Sequence, residues 1–531
     1  MRTHKWIILS LAAAAVAQTW ALQKKQRQQR PADEPERVYL VHADELFYDR
    51  WQRGDAQVLD GNVQFRHNGA TLWCDSAHFY QQTNSFEAFG NVRMVQGDTL
   101  SLTADYGFYD GNEQLMKALD NVVLRNRDAT LYTDSLYYDR LYNEGYYENG
   151  GRLVQQGTTL TSDWGEYHTD TKNAIFYYDV HMTDRDFTLR GDTLYYNTQL
   201  HRARIAGPTD ILSGSSTIRS QRGYYHTDTK VSELMDRSVL RDGEKTLVAD
   251  SIWHSETTGV SEAFGQIVYT DHANRNMLLG NYGYYADSTG YAVVTDSAVV
   301  IDYSQQDTLY MHADTLKLFT YNIRTDSVYR VAHAFRHVRA YRRDVQGVCD
   351  SLVYTSRDSC LTMYHDPIVW NMQQQLMGEK IEVFMRDSVI DRAHVVNSAF
   401  STEKLPDSLL YNQVSSKEMY AYFDKGKIRL AEAIDNVLTV YYPLDDSDSS
   451  YVGLNHAEST KMRMYMKAGQ MEAIWMPKAE GTLYPMTQIP PKERFLEGFA
   501  WYDYIRPTDR HDIFRWRGKK ENTDNDKTKT L

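Results

Sequence analysis

Apolar side chains recur two residues apart along much of the chain, as in Val63/Phe65, Val92/Met94, Val122/Leu124 and Val180/Met182. A period of two places successive side chains on opposite faces, so these runs predict strands with one buried face. The runs belong to a longer pattern: apolar, any, small, Asp, any, Leu or Gly, any, Tyr. It stands as Leu102 to Tyr109 and again as Leu131 to Tyr138, with copies centred on Asp44, Asp75, Asp163, Asp192, Asp250, Asp314 and Asp350. Degenerate copies place Gln221, Asn281 and Glu379 at the anchor, and Lys417 and Glu458 more loosely. From Asp75 to Asp250 the anchors are spaced 30, 29, 29, 29, 29 and 29 residues apart. A fixed period of that size predicts a stacked array of like units.

Sixteen residues after most anchors comes a second signal: Gly90-Asn91-Val92, Asp120-Asn121-Val122, Tyr178-Asp179-Val180 and Gly265-Gln266-Ile267. Gly61-Asn62-Val63 and Asp435-Asn436-Val437 show it at slightly different offsets. Gly, Asn and Asp read here as a turn, with a β-branched residue opening the next strand. Parity around the anchor carries more information. Positions −3 and −1 hold inward residues (Leu102/Ala104, Leu160/Ser162), whereas after it the larger apolar residues fall at +2 and +4 (Leu136/Tyr138, Leu194/Tyr196). A straight strand cannot switch parity, so the chain must bulge or turn a corner at the Asp. The Asp is then expected to cap local backbone N–H groups, a structural role rather than a catalytic one.

Composition narrows the classes. Acidic groups outnumber basic ones, 71 to 58, for a net charge of −13, which argues against nucleic acid as a partner. Forty tyrosines against eleven prolines suit many half-exposed strands. The first residues read as an exported protein's signal: Arg2, His4 and Lys5, then an apolar run from Trp6 to Val16, then small residues around Ala17 and Ala21. An uncleaved anchor is the alternative. No later segment is long and apolar enough to span a membrane, and the first cysteine, Cys74, lies too far on to carry a lipid after the signal.

The expected organisation is a signal over 1–21, a flexible leader over 22–37, a regular repeat domain over 38–245 and a less regular one over 246–470. After Asp250 the spacing loosens to 31, 33, 36, 29, 38 and 41 residues. A cap or docking segment, rich in Pro and Trp, is expected over 471–517, and a disordered tail over 518–531. The fold class is therefore all-β: repetitive open jelly-roll or solenoid-like sheets of about 30-residue units, with a short non-repeat C-terminal cap.

Chemistry was sought among the polar residues. The seventeen histidines show no metal spacing, and His333 with His337 would share a face only on a helix. There is no Gly-x-Ser-x-Gly elbow, phosphate-binding Gly loop or Cys-x-x-Cys. Cys74 and Cys349 fill the small −1 slot and read as packing residues; Cys349 and Cys360 could bridge neighbouring strands. No cofactor, metal or catalytic residue is expected.

The unit Leu102 to Tyr109 with Asp120-Asn121-Val122, and its copies between about residues 40 and 400, resembles the OstA-like family. That family includes the periplasmic bridge protein of lipopolysaccharide transport and the soluble domain of its outer-membrane translocon. The resemblance implies an open β-jelly-roll or V-shaped sheet pair whose apolar groove holds acyl chains, with domains joining edge to edge. It also implies a periplasmic location, associated with the outer membrane in some arrangements. Two departures stand out. Bridge proteins of this type are much shorter, and the roughly 60 residues after the repeats are too few for the translocon's barrel.

Three readings follow. In the first, the chain is a lipid carrier whose groove is lined by Val63, Phe65, Leu72, Val92, Met94, Leu102, Val122, Leu124, Leu131, Leu160, Val180 and Leu189. Its partners are lipopolysaccharide or a similar lipid, other transport components joined by edge-strand addition, and further copies of the chain end to end. In the second, it is a structural or adhesive solenoid whose interior its own side chains fill. In the third, it is a polysaccharide-acting β-helix enzyme, which would need an Asp/Glu/Arg cluster that the periodicity does not single out.

Overall fold

The computed structural model describes residues 37–48, 55–185, 187–386, 389–406, 409–424, 427–445, 450–467 and 470–519. The signal, the leader up to residue 36, and residues 520–531 of the expected tail lie outside the described residues. The described residues form thirty-four strands and four 3-10 turns, with no α-helix. Successive long strands pair antiparallel, for example Ala70–Tyr80 with Ser85–Gln96 and Leu100–Asp110 with Leu115–Asn126. The chain divides into two compact units, Met1–Arg185 with Asp192–Leu200, and Asp186–Gly191 with His201–Leu531.

The corner expected at each anchor is present, but its mechanism differs from the one read in the sequence. Gly90-Asn91 is no turn between strands; it sits inside the continuous strand Ser85–Gln96. Both residues are left-handed, with φ of 71° and 45°. Two such residues in succession insert one extra residue without reversing the chain. The register shows it: Phe89 faces Tyr106 and Val92 faces Ala104, so three steps on one strand answer two on the other. The same shift separates Phe264/Tyr282 from Ile267/Gly280 in the second unit.

The anchor Asp sits opposite this bulge, and it bonds the neighbouring strand rather than its own local backbone. Asp75 accepts from the Asn91 side-chain amide at 2.9 Å, Asp105 from Asn121 at 2.6 Å and Asp44 from Asn62 at 2.9 Å. Gly90 is required twice over, by its positive φ and because a Cβ there would collide with the Asp75 carboxylate. The bulge also occurs where no Gly or Asn marks it. Arg336 and His337 adopt φ of 60° and 54°, and His337 Nδ1 lies 2.9 Å from the Asp314 carboxylate, in the place of the Asn amide.

Each long strand that carries this shift is bent into two segments, and the stacked segments form the two arms of a V. Inward positions flip parity across the bend: Leu102 and Ala104 are buried on one arm, Tyr109 on the other. In the first unit the arms face each other closely enough for Phe65 and Phe86 to stack, ring centroids 4.1 Å apart.

Within the second unit the C-terminal segment runs along the outside of one arm. Buried glutamines satisfy its irregular backbone. Gln413 donates to the Arg494 carbonyl and accepts from the Leu496 N–H; Gln375 does the same for Ala500 and Tyr502. Arg339 donates to the Ile505 carbonyl at 3.0 Å and faces Asp512 at 3.4 Å. Beneath the segment lie Trp370, Ile368 and Val348, and farther along Phe400, Val440 and Leu454.

Candidate functional site

The candidate groove residues lie where parity puts them, inside the V, and all twelve are buried. Cross-strand register joins eight inward side chains of the first unit into one row: Phe65, Leu72, Met94, Leu102, Leu124, Leu131, Leu153 and Leu160. Val63, Val92 and Val122 belong to a second row at the corner, facing Cys74, Ala104 and Thr133. Val180 also follows a left-handed pair, and Leu189 stands on Phe187–Asn197 in the stretch grouped with the second unit.

The opposing arm supplies a row that the sequence reading did not assign to the interior site: Phe79, Phe86, Tyr109, Met116, Tyr138 and Tyr167, all buried. Side chains of the two arms fill the space between them. A small cavity of about 20 Å³ lies among Phe65, Phe86, Met94, Tyr109 and Arg140.

Along the mouth of the V runs a seam of buried polar side chains linking the tips of the arms. His67 meets the Tyr109 hydroxyl at 2.7 Å; Asn126 donates to Tyr167 at 3.3 Å; Tyr196 donates to Gln155 at 3.1 Å. Arg140 closes the same gap by donating to Tyr109, to Gln96 and to the Asn68 carbonyl. Burial pushes the Tyr109, Tyr138 and Tyr167 hydroxyls above the ordinary phenol range, so they remain protonated. The spacing was visible beforehand: Tyr109, Tyr138, Tyr167 and Tyr196 are each 29 residues apart. Thr169 and Thr198 hold the same place relative to Tyr138 and Tyr167 that Arg140 holds relative to Tyr109, whereas the partners on the other arm, His67, Asn126 and Gln155, share no residue type.

The second unit repeats the corner, and at its start Tyr225 still meets Phe187 edge-on with ring centroids 4.4 Å apart. Its corner row is buried: Ala249, Ala298, Ala313, Val338, Cys349 and Ala399. The next row outward, Leu247, Tyr269, Leu278, Val300 and Met311 in consecutive register, is only half-buried. Leu361, Val383, Val414 and Met464 are half-buried in the same core. At the seam positions, His254 bonds Ser261 and Tyr285 bonds Asp287, each partner on the same arm. From Leu247 onward the second unit therefore leaves its inward row half-buried, where the corresponding row of the first unit is buried.

The other candidate chemistry is accounted for. Cys74, Cys349 and Cys360 are free and buried, and Cys360 pairs in register with Thr355, not with Cys349. Burial pushes the Cys74 and Cys349 thiols up to about 12, as suits packing residues. Glu144, Glu166 and His168 bring three ligand-type atoms within 4.8 Å of one another on a half-exposed face, an arrangement the sequence spacing did not reveal. Among the described residues no helix is long and apolar enough to cross a membrane.

Comparison with known proteins agrees with the resemblance over part of the chain. Residues 35–192 match the family model described as OstA-like protein. No curated protein matches the chain. Among solved structures, one similar chain is LptH of Pseudomonas aeruginosa, described as the LptA-homologous periplasmic component of the lipopolysaccharide transport device. It is 11% identical, covers 27% of this chain and 95% of its own, and superposes with a TM-score of 0.21.

Proposed function

We propose that this OstA-like chain is a periplasmic carrier or bridge in lipopolysaccharide transport and outer-membrane assembly. Acyl chains are held on the apolar rows between its arms. One observation carries the reading: in the second unit the row Leu247, Tyr269, Leu278, Val300 and Met311 is continuous across strands, largely apolar and only half-buried. Apolar surface left wet beside a dry corner row favours an apolar ligand. Each CH₂ buried there contributes roughly 0.8 kcal/mol. In the first unit the eleven inward positions from Val63 to Val180 would receive a chain only if the arms part along the seam.

Partners join at the first rung. Tyr39–His42 and Glu45–Tyr48 pair only with Gln57–His67 among the described residues, and Tyr39, Leu46, Phe47 and Tyr48 are more than half exposed. An uncovered edge of this kind suits strand addition by another transport component or a second copy.

A second reading has its own support. The filled interior of the first unit is what a structural solenoid would show, packed at interior density. Photo-crosslinking separates the two. A benzophenone side chain at Leu278 or Met311 is expected to capture lipid from cells, identified by mass spectrometry, before one at Leu102 or Leu131 does. Absence of lipid at all four positions, and from extracts of the purified chain, would leave the solenoid.

A further inference from the structure

On the outer face of the first unit two carboxylates and an imidazole converge with no Lys or Arg to balance them. Side chains alternate along Trp164–His168, so with Tyr167 turned inward to the seam, Glu166 and His168 point outward together. Cross-strand register sets Glu144, the first residue of Glu144–Tyr147, directly opposite His168. An oxygen from each carboxylate and one imidazole nitrogen thereby lie within 4.8 Å of one another, and all three side chains are half-buried. His168 Nε2 stands 3.9 Å from Glu166, too far for a hydrogen bond. Among the described residues His168 is the one ion-pair partner of either carboxylate. Burial, and then the charge of Glu144, push the Glu166 carboxyl above its ordinary range.

The repeat does not account for these residues. Three places after the anchor the regular units carry a ring, at His78, Phe108, Tyr137, Tyr195, Tyr224 and Trp253; Glu166 breaks that series. Glu144 departs likewise, since the same place in neighbouring units holds Ser85, Leu115, Asn173 and Arg202. Two departures in adjacent units that meet at one point mark a local task, not a feature of the array. In the second unit an acid does recur three places after an anchor, as Glu382, but there Lys380 lies 2.8 Å away and both nitrogens of His394 are engaged, by Glu382 and Glu418. We propose that Glu144, Glu166 and His168 bind a divalent transition-metal ion, of which zinc fits best, with water completing its shell. The imidazole in the set favours zinc over magnesium and calcium, which take oxygen ligands. The ion would cross-link two short strands in a part of the first unit where the long strands are interrupted. It lies on the face opposite the inward rows, so it stands apart from lipid binding.

Calorimetric titration of the full-length chain, free of any histidine tag and stripped beforehand with a chelator, tests the site with zinc chloride and magnesium chloride. The wild type should bind zinc at least about tenfold more tightly than magnesium. His168→Gln and Glu144→Gln should each weaken zinc binding at least about tenfold. His226→Gln, at the equivalent place of a later unit, should leave it unchanged. In chelator both site variants should melt with the wild type, which separates a lost site from a lost fold. A second readout needs no variant: zinc should slow hydrogen exchange along Glu144–Tyr147 and Trp164–His168 in the wild type. Zinc bound equally by the wild type and both site variants, or exchange slowed only elsewhere, would overturn the site. So would an absence of zinc binding, or magnesium bound as tightly as zinc.

Discussion

Leu102 and Leu278 hold the same place in the repeat, three residues before an anchor, yet Leu102 is fully buried and Leu278 half-exposed. The residues beside them toward the bend, Ala104 and Gly280, are buried alike. The two units thus share a corner and differ in what happens away from it. In the first, large side chains of both arms interlock and a polar seam ties the tips together. In the second, Ala332, Ala393, Ala421 and Ala431 stand in one arm's outer row, and the tips carry no cross-arm bonds at His254 or Tyr285. The bend is made locally by the backbone; closure depends on whether facing side chains are large enough to meet.

The largest expected contrast is in chemical access. With the native thiols held near 12 by burial, Cys74 and Cys349 should be almost silent toward thiol reagents at pH 8. A cysteine at Leu278 should then react on the order of 100-fold faster than one at Leu102, whose exposure requires the arms to open. Comparable rates would erase the distinction between the units. The native thiols add a pH test. Their folded pKa lies above the unfolded value, so their contribution is present below about pH 9 and is lost as pH rises toward 12.

Stability should diverge next. Leu131→Asp places a carboxylate in a dry row and is expected to remove several kcal/mol, melting the first unit. Met311→Asp, in the half-exposed row, should cost about 1 kcal/mol or less, because the charge can stay hydrated. Thermal melting followed by circular dichroism measures both. Equal losses would mean that the second unit is closed in solution.

The seam should show a smaller effect confined to one unit. Tyr196→Phe removes the hydroxyl that donates to buried Gln155, and is expected to cost about 1–3 kcal/mol. Hydrogen exchange should then rise along Trp164–His168 and residues 192–197 and not in the second unit; a global change would show that the seam is no local latch. The smallest effect should be shared by both units. Asp105→Ala and Asp250→Ala each remove an exposed corner bond, to Asn121 and to Arg237 respectively, and should cost about 1 kcal/mol or less in either unit. A large difference between them would mean that the corners are not equivalent.

The period, the strands, the bend and the inward face were legible in the sequence because they are short-range properties. The switch from Leu102/Ala104 to Leu136/Tyr138 parity needs nothing beyond a few neighbouring residues to be read, and Gly90-Asn91 needs only its own backbone preference. Legibility faded at Arg336-His337, where a positive-φ pair is imposed on residues with no intrinsic claim to it, and His337 replaces an Asn by offering Asp314 a ring nitrogen. Closure was legible only in the 29-residue spacing of Tyr109, Tyr138, Tyr167 and Tyr196, and not in the partners they meet. His67 finds Tyr109, and Gln155 finds Tyr196, across 42 and 41 residues, and Gln413 holds a segment 81 residues further on. Such contacts depend on how side chains from distant rungs meet once the array is stacked. The chain's periodicity therefore determined the bent sheet, and only the packed structure decided that the first unit would shut while the second stayed open.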